Sequence, residues 1–188
     1  RIAERTETTI NYEKRFRQSE FRIRNTVDAI SHSTCGMAID IEAKAIVACS
    51  LSGMTARMVS RFRAPVDILG MTTDEGTWRK LALSWGVTPA MCEKFTSTDV
   101  LFYVATQLAK EKLGLQPGDK IVITGGVPNG VAGNTNLIGE ADGVFAVGGS
   151  LVDRGRTGGQ GAVELLDQSG NVVPGSLRLV GILALAAS

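Results

Sequence analysis

The chain reads as an α/β protein, with a mostly parallel sheet covered by helices on both faces. Three observations predict this. Between residues 45 and 124, short apolar runs alternate with segments of helical periodicity. Strands joined by helical crossovers pair in parallel and need cover on both faces. A chain of 188 residues, 44% hydrophobic and 21% charged, is long enough for one good core.

The elements follow in order. Residues 1–12 carry Ile2, Ala3 and Ile10 at helical spacing among charged positions, with no N-cap before them. Residues 13–24 mix Lys14, Arg15, Arg17, Arg22 and Arg24 with Glu13, Glu20, Phe16 and Phe21. Basic residues interleaved with aromatics are one mark of a nucleic-acid face. Here the mixed sign and a formal net charge of +1 point to a solvated linker instead, with no pull toward nucleic acid or membrane.

From Asn25 the pattern is helical, since Val27, Ile30, Thr34, Met37, Ala38 and Ile41 recur at steps of three and four. A buried strand over 45–50 follows, then a helix over 55–62 and a second strand over 66–71. Thr73 or Asp74 caps a helix that Gly86 stops, and 87–92 is a weaker third strand. Ser97 caps a long helix with Leu101, Val104, Ala105, Leu108 and Leu115 on one side. The turn Gln116-Pro-Gly-Asp119 then leads into a strand over 120–124.

The tail changes character, holding ten of the chain's 22 glycines in residues 140–188. Short β-like runs lie at 144–147, 162–166, 172–173 and 177–185, with residues 167–171 as a hairpin loop. The Gly-rich segment 154–161 resembles a phosphate cradle in composition, but no helical pattern follows it, so it reads as a loop. The apolar run 179–187 is too short to span a bilayer, and no signal peptide opens the chain. Cys35, Cys49 and Cys92 are odd in number and widely spaced in apolar surroundings, which predicts reduced, buried thiols in a cytoplasmic protein. His32 and Cys35 stand at i, i+3 without a second ligand pair, so they read as a helix-borne histidine and a core cysteine rather than as metal ligands.

The most informative stretch is 45–57, where an apolar strand runs into a Ser/Gly/Thr turn and then into a helix start. Ser50, Ser52 and Thr55 supply hydroxyls, the helix start supplies N–H groups and positive dipole, and Gly53 permits φ > 0 or a close ligand approach. Such a turn suits a phosphate. The same Ser-x-Gly-x-Thr pattern also serves merely to cap a helix.

Several separated stretches resemble the C-terminal region of the pyruvate kinases. They are Arg1-Ile-Ala-Glu-Arg-Thr-Glu-Thr-Thr-Ile-Asn-Tyr12, the strand from Ala45 through Ser52-Gly-Met-Thr-Ala56, Leu81-Ala-Leu-Ser-Trp-Gly-Val87, Ser97-Thr-Asp99, Gly118-Asp-Lys-Ile-Val-Ile-Thr-Gly-Gly-Val-Pro128 and Asn134-Thr-Asn-Leu-Ile138. The resemblance covers residues 1 to about 139 and leaves out the tail. It implies a three-layer sandwich with a five-stranded sheet, whose last strand, near 136–140, is antiparallel to the rest. It also implies three parts: 1–24 as the end of a catalytic-barrel helix and linker, 25–140 as the C-terminal α/β domain, and 141–188 as a Gly-rich β-like tail of no assigned role. Some bacterial members carry a phosphohistidine-type domain at this end; the tail has no histidine and does not resemble one.

In that family the barrel holds the phosphoryl-transfer chemistry, with magnesium and potassium in the intact enzyme. The resemblance therefore implies a piece with no catalytic residues, no cofactor and no metal of its own, inactive by itself. It implies regulation by a sugar phosphate or nucleotide monophosphate, contact with the chain's own barrel, and assembly into a tetramer. The phosphate site carried over comprises Ser50, Ser52, Gly53, Met54, Thr55 and Arg57, joined by Gly130 and Gly133 in the loop 126–135. Many activated members have Lys or Arg where this chain has Met54, so the charged partner of a second phosphate is missing unless Arg57 replaces it. A free-standing phosphate-ligand protein and a purely structural interaction domain remain the alternatives.

Overall fold

The computed structural model describes residues 2–94, 98–116, 118–126, 135–142, 150–153 and 163–166. Helix α1 (Ile2–Glu7) is followed by α2 (Tyr12–Gln18), whose Asn11 cap accepts from the Lys14 N–H at 2.8 Å. The charged residues of 13–24 are exposed, as a solvated face requires, but the segment is helical over its first part and anchored to the domain. Phe16 of α2 is 8% exposed, because it packs with Phe21 against His32 and the α/β core. A charged periphery with two phenylalanines thus forms a strap rather than a tether. Helix α3 (Thr26–Asp40) begins at Asn25, whose side chain accepts from the Asp28 N–H.

Strand β1 (Ala45–Cys49), helix α4 (Met54–Arg61), strand β2 (Asp67–Thr72), helix α5 (Glu75–Leu81) and strand β3 (Val87–Met91) then alternate. The Asp74 carboxylate caps α5 by accepting from the Thr77 N–H, and the Thr77 hydrogen bonds hold its pKa below the usual range. Helix α5 ends four residues before the expected Trp85, since the chain leaves it through tight turns at Leu83 and Ser84. Helix α6 (Thr98–Leu113), strand β4 (Lys120–Gly125) and strand β5 (Leu137–Asp142) complete the sheet. The expected cap Ser97 lies outside the described residues.

The sheet order is β3-β2-β1-β4-β5, parallel except for the β4/β5 pair. Its two faces bury different residues, as strand alternation requires. Ile46, Ala48, Ile68 and Val122 meet α3, α4 and the Phe16 strap, whereas Val47, Leu69, Ile121 and Ile123 meet Leu101, Phe102 and Ala105 of α6. The three-layer α/β sandwich with an antiparallel last strand is therefore the observed fold. Phe102 lies so close to β5 that a Cβ at Gly139 would come within 2.6 Å of its ring.

In the tail, β6 (Ser150–Asp153) pairs antiparallel with β7 (Val163–Leu166). The second strand agrees with the run read at 162–166, and the first was not read as a strand. The runs at 144–147, 172–173 and 177–185, the segment 154–161 and the loop 167–171 lie outside the described residues.

The three thiols are free; Cys35 and Cys49 are buried, and Cys92 is partly so. Burial pushes Cys35 up to about 12 and Cys92 up to about 11, which keeps them protonated and unreactive. One polar atom stands out on α3. The Ser31 hydroxyl is fully buried and has no hydrogen-bond partner among the described residues. An orphaned buried hydroxyl costs about 1–3 kcal/mol, so Ser31→Ala is expected to stabilise the chain by roughly 1 kcal/mol or more. The check is the urea midpoint, which should rise at unchanged slope; a fall would show that the hydroxyl is bonded.

Candidate anion-binding turn at the switch point of the sheet

Successive strands step outward from β1 to β2 to β3, and the chain then crosses back so that β4 lies on the other side of β1. The carboxyl ends of β1 and β4 thus flank the point where the strand order reverses. In open α/β sheets, ligands bind at such a point, outside the carboxyl ends of the strands. Both segments singled out in the sequence open at this point: Ser50 follows β1, and Gly126 follows β4.

The first turn is well held. The Ser50 N–H donates to the Met71 carbonyl at 3.0 Å, extending the β1/β2 pairing by one residue. The Thr72 hydroxyl donates to the Leu51 carbonyl at 3.1 Å. Gly53 then turns the chain at φ 70°, and the helix bonds begin with the Arg57 N–H on the Gly53 carbonyl. A side chain at 53 would be strained by that φ and would meet Thr77 Cγ2 at 2.9 Å and Leu81 Cδ2 at 3.1 Å. The site therefore needs glycine twice over.

No side-chain hydrogen bond caps α4. The cap residue is Gly53, which carries no side chain to accept from the first-turn N–H groups. Ser52, Met54 and Arg57 are exposed, and Ser50 is partly exposed. The Arg57 guanidinium folds back to the Ser52 carbonyl at 3.5 Å, placing a cation beside the turn. Met54, 38% exposed, presents a neutral thioether at the mouth.

Thr55 departs from the expected arrangement. It is 3% exposed, and its hydroxyl shares a 2.7 Å hydrogen bond with that of Thr135, itself 4% exposed. The side chain points inward, and what it does is tie the β1 turn to the far end of the β4 loop. Thr135 was not singled out as a site residue, though it sits in the Asn134-Thr-Asn motif. Gly130 and Gly133 lie outside the described residues. Among the described residues no group of three or more His, Cys, Asp or Glu is placed to hold a metal. His32 and Cys35 instead serve the core: His32 stacks on Phe16 at 5.0 Å, and Cys35 Sγ donates to the Val59 carbonyl. Among those residues no helix is long and apolar enough to cross a membrane.

The fold defines a three-layer α/β domain in which the turn after β1 is bonded, through Thr55, to Thr135 ahead of β5. Residues 28–139 match the family model described as the pyruvate kinase alpha/beta domain, and the chain belongs to that family. It is 41% identical over 139 residues to the pyruvate kinase of Clostridium acetobutylicum, covering 73% of this chain and 29% of that protein. Against the pyruvate kinase of Lactobacillus delbrueckii subsp. bulgaricus it is 38% identical over 122 residues, 65% of this chain and 21% of the other. A crystal structure of a pyruvate kinase from Cryptosporidium parvum superposes with a TM-score of 0.64 at 27% identity, covering 72% of this chain and 27% of that one. The chain thus spans less than a third of the length of these relatives.

Proposed function

We propose that the chain is the effector-binding and oligomerising part of a pyruvate kinase. The intact enzyme would transfer a phosphoryl group from phosphoenolpyruvate to ADP in the cytoplasm, as a tetramer whose barrel domain precedes this one. The observation that carries the effector site is the start of α4, with Gly53 at its cap, placed at the switch point of the sheet. There the first-turn N–H groups, the Ser50 and Ser52 hydroxyls and the Arg57 guanidinium would receive a phosphate, since anions gain both hydrogen bonds and the helix dipole. Thr55 would contribute its N–H, its hydroxyl being engaged with Thr135.

In this reading magnesium and potassium are held by the barrel. The chain alone is then inactive: phosphoryl transfer needs metal-holding carboxylates and a cluster of cations around the transferred group. Turnover of phosphoenolpyruvate and ADP by the purified chain, abolished by a substitution within it, would overturn that part.

Met54 sets the expected preference. A thioether cannot neutralise a second phosphate, so the full-length enzyme should respond better to glucose 6-phosphate, ribose 5-phosphate or AMP than to fructose 1,6-bisphosphate. A new charged hydrogen bond is worth about 1.5–3 kcal/mol, so Met54→Lys should lower the activation constant for the bisphosphate by about tenfold or more, at fixed ionic strength. Ser52→Ala should raise the constant for the monophosphates several-fold. A wild type that already prefers the bisphosphate refutes the reading of Met54. Indifference of both variants and the wild type to every phosphate leaves the structural-domain reading.

A further inference from the structure

The end of α4 and the residue beyond it make three separate contacts, two with Trp85 and one with Asp28 of α3. The Ser60 hydroxyl donates to the Trp85 carbonyl at 2.6 Å. Arg61 bonds the buried Asp28 carboxylate at 3.1 Å, and the other oxygen of that carboxylate accepts from the Arg24 N–H at 3.2 Å. Arg63, just past the helix, lays its guanidinium over the Trp85 ring, 4.6 Å from the centroid. Trp85 in turn holds the strap and α1 together. Its ring lies 5.1 Å from that of Tyr12, and its indole N–H donates to the Glu7 carboxylate of α1 at 3.1 Å. These residues are far apart in sequence, and none lies at the phosphate turn.

Arg63 is held at φ 55°, in the left-handed position after a helix that glycine usually fills. A residue kept in such a conformation is over-determined by what surrounds it. Here the gain is the guanidinium stacked on Trp85. Between the two ends lies one short helix of eight residues, about 12 Å long, with Ala56 and Val59 fully buried. Packed on that side, it is a short, close-packed link between the two ends.

We propose that α4 couples the turn 50–55 at its start to a latch at its end, in which Trp85 is the positioning residue that holds α1. Its ligand rests on the reading of the turn as a phosphate site, but the coupling does not. Ordering the first turn favours the closed latch, and by reciprocity closing the latch orders the first turn.

The test begins without ligand, on the full chain, by hydrogen exchange of the Arg57 amide, whose bond to the Gly53 carbonyl is the first of the helix. Arg63→Gly relieves the backbone and removes only the stacked cation; Trp85→Phe keeps a ring and removes the indole donor. Both should speed Arg57 exchange about threefold or more while the Val47 and Ile123 amides of the core stay unchanged. A merely structural Arg63 predicts the opposite for Arg63→Gly, namely slower or equal exchange. Unchanged Arg57 exchange in both variants overturns the coupling. A second arm titrates glucose 6-phosphate into Trp78→Phe, in which Trp85 is the sole tryptophan, and reads calorimetry and acrylamide quenching together. Binding with a parallel loss of quenching supports the coupling, and binding with no change at Trp85 overturns it. No binding at all removes the phosphate reading and leaves the coupling to stand on the exchange result.

Discussion

Phe62→Ala is expected to cost about 3–5 kcal/mol, the range for emptying a buried phenylalanine site. Phe62 is 1% exposed and lies where α4 ends, edge-on to Phe21 at 4.9 Å and to His32 at 5.3 Å, with the Arg61 guanidinium 4.9 Å above its ring. Its removal opens a void between helix and strap that neither Phe21 nor His32 can fill without leaving Phe16. Against a total stability of about 5–15 kcal/mol, the loss should lower the melting temperature by roughly 10 °C or more. Thermal and urea unfolding of Phe62→Ala, Phe21→Ala and the double variant would measure it. The double variant should lose about 0.5–1.5 kcal/mol less than the sum of the two single losses if the rings interact directly. A single-variant loss under 1 kcal/mol would mean that the strap is not packed on the domain.

The same cluster gives stability a pH dependence of definite sign. Burial lowers the His32 pKa, so the unfolded chain binds a proton that the folded chain refuses. Stability should therefore fall as pH drops below about 6.5, the ordinary value for histidine.

This cluster also marks where the sequence ceased to be legible. The sheet could be read because β1, β2 and β4 are buried on both sides and appear as uninterrupted apolar runs between helical patterns. Periodicity fixes such elements locally. The strap could not be read, since Phe16 and Phe21 stand among seven charged residues, and only the three-dimensional placement of His32 and Phe62 makes them core. Trp85 was assigned to a helix for a related reason. Local propensity carries α5 on to the glycine, whereas contacts with Glu7, Tyr12 and Arg63 hold Trp85 outside it. At the turn, residue types announced hydroxyls and a helix start, but the direction of a side chain is not in the pattern. Thr55 turns inward to Thr135, 80 residues on, a pairing that only the β1/β4 adjacency brings about. The strand order that makes the switch point is likewise a property of the whole sheet.

Gly53→Ala should do more to the turn than any loss of a hydroxyl. At φ 70° an alanine is strained by about 1 kcal/mol or more. Its methyl would also stand 2.9 Å from Thr77 Cγ2 and 3.1 Å from Leu81 Cδ2, and Leu81 is 1% exposed. Thr77 is fixed as well, because its N–H caps α5 through Asp74. Neither neighbour can retreat, so the backbone of 51–54 must, and overpacking of this kind costs about 1–3 kcal/mol. The sum is roughly 2–4 kcal/mol, and it falls on the segment that aims the first-turn N–H groups. The variant should therefore lose stability and, in the full-length enzyme, lose phosphate activation by more than tenfold, whereas Ser52→Ala loses activation alone. Adding Thr77→Ser removes the Cγ2 methyl while keeping the cap, and it should restore part of both. Full activation in a destabilised Gly53→Ala enzyme would place the effector elsewhere, since no phosphate held by these N–H groups could survive a shift of the backbone that carries them.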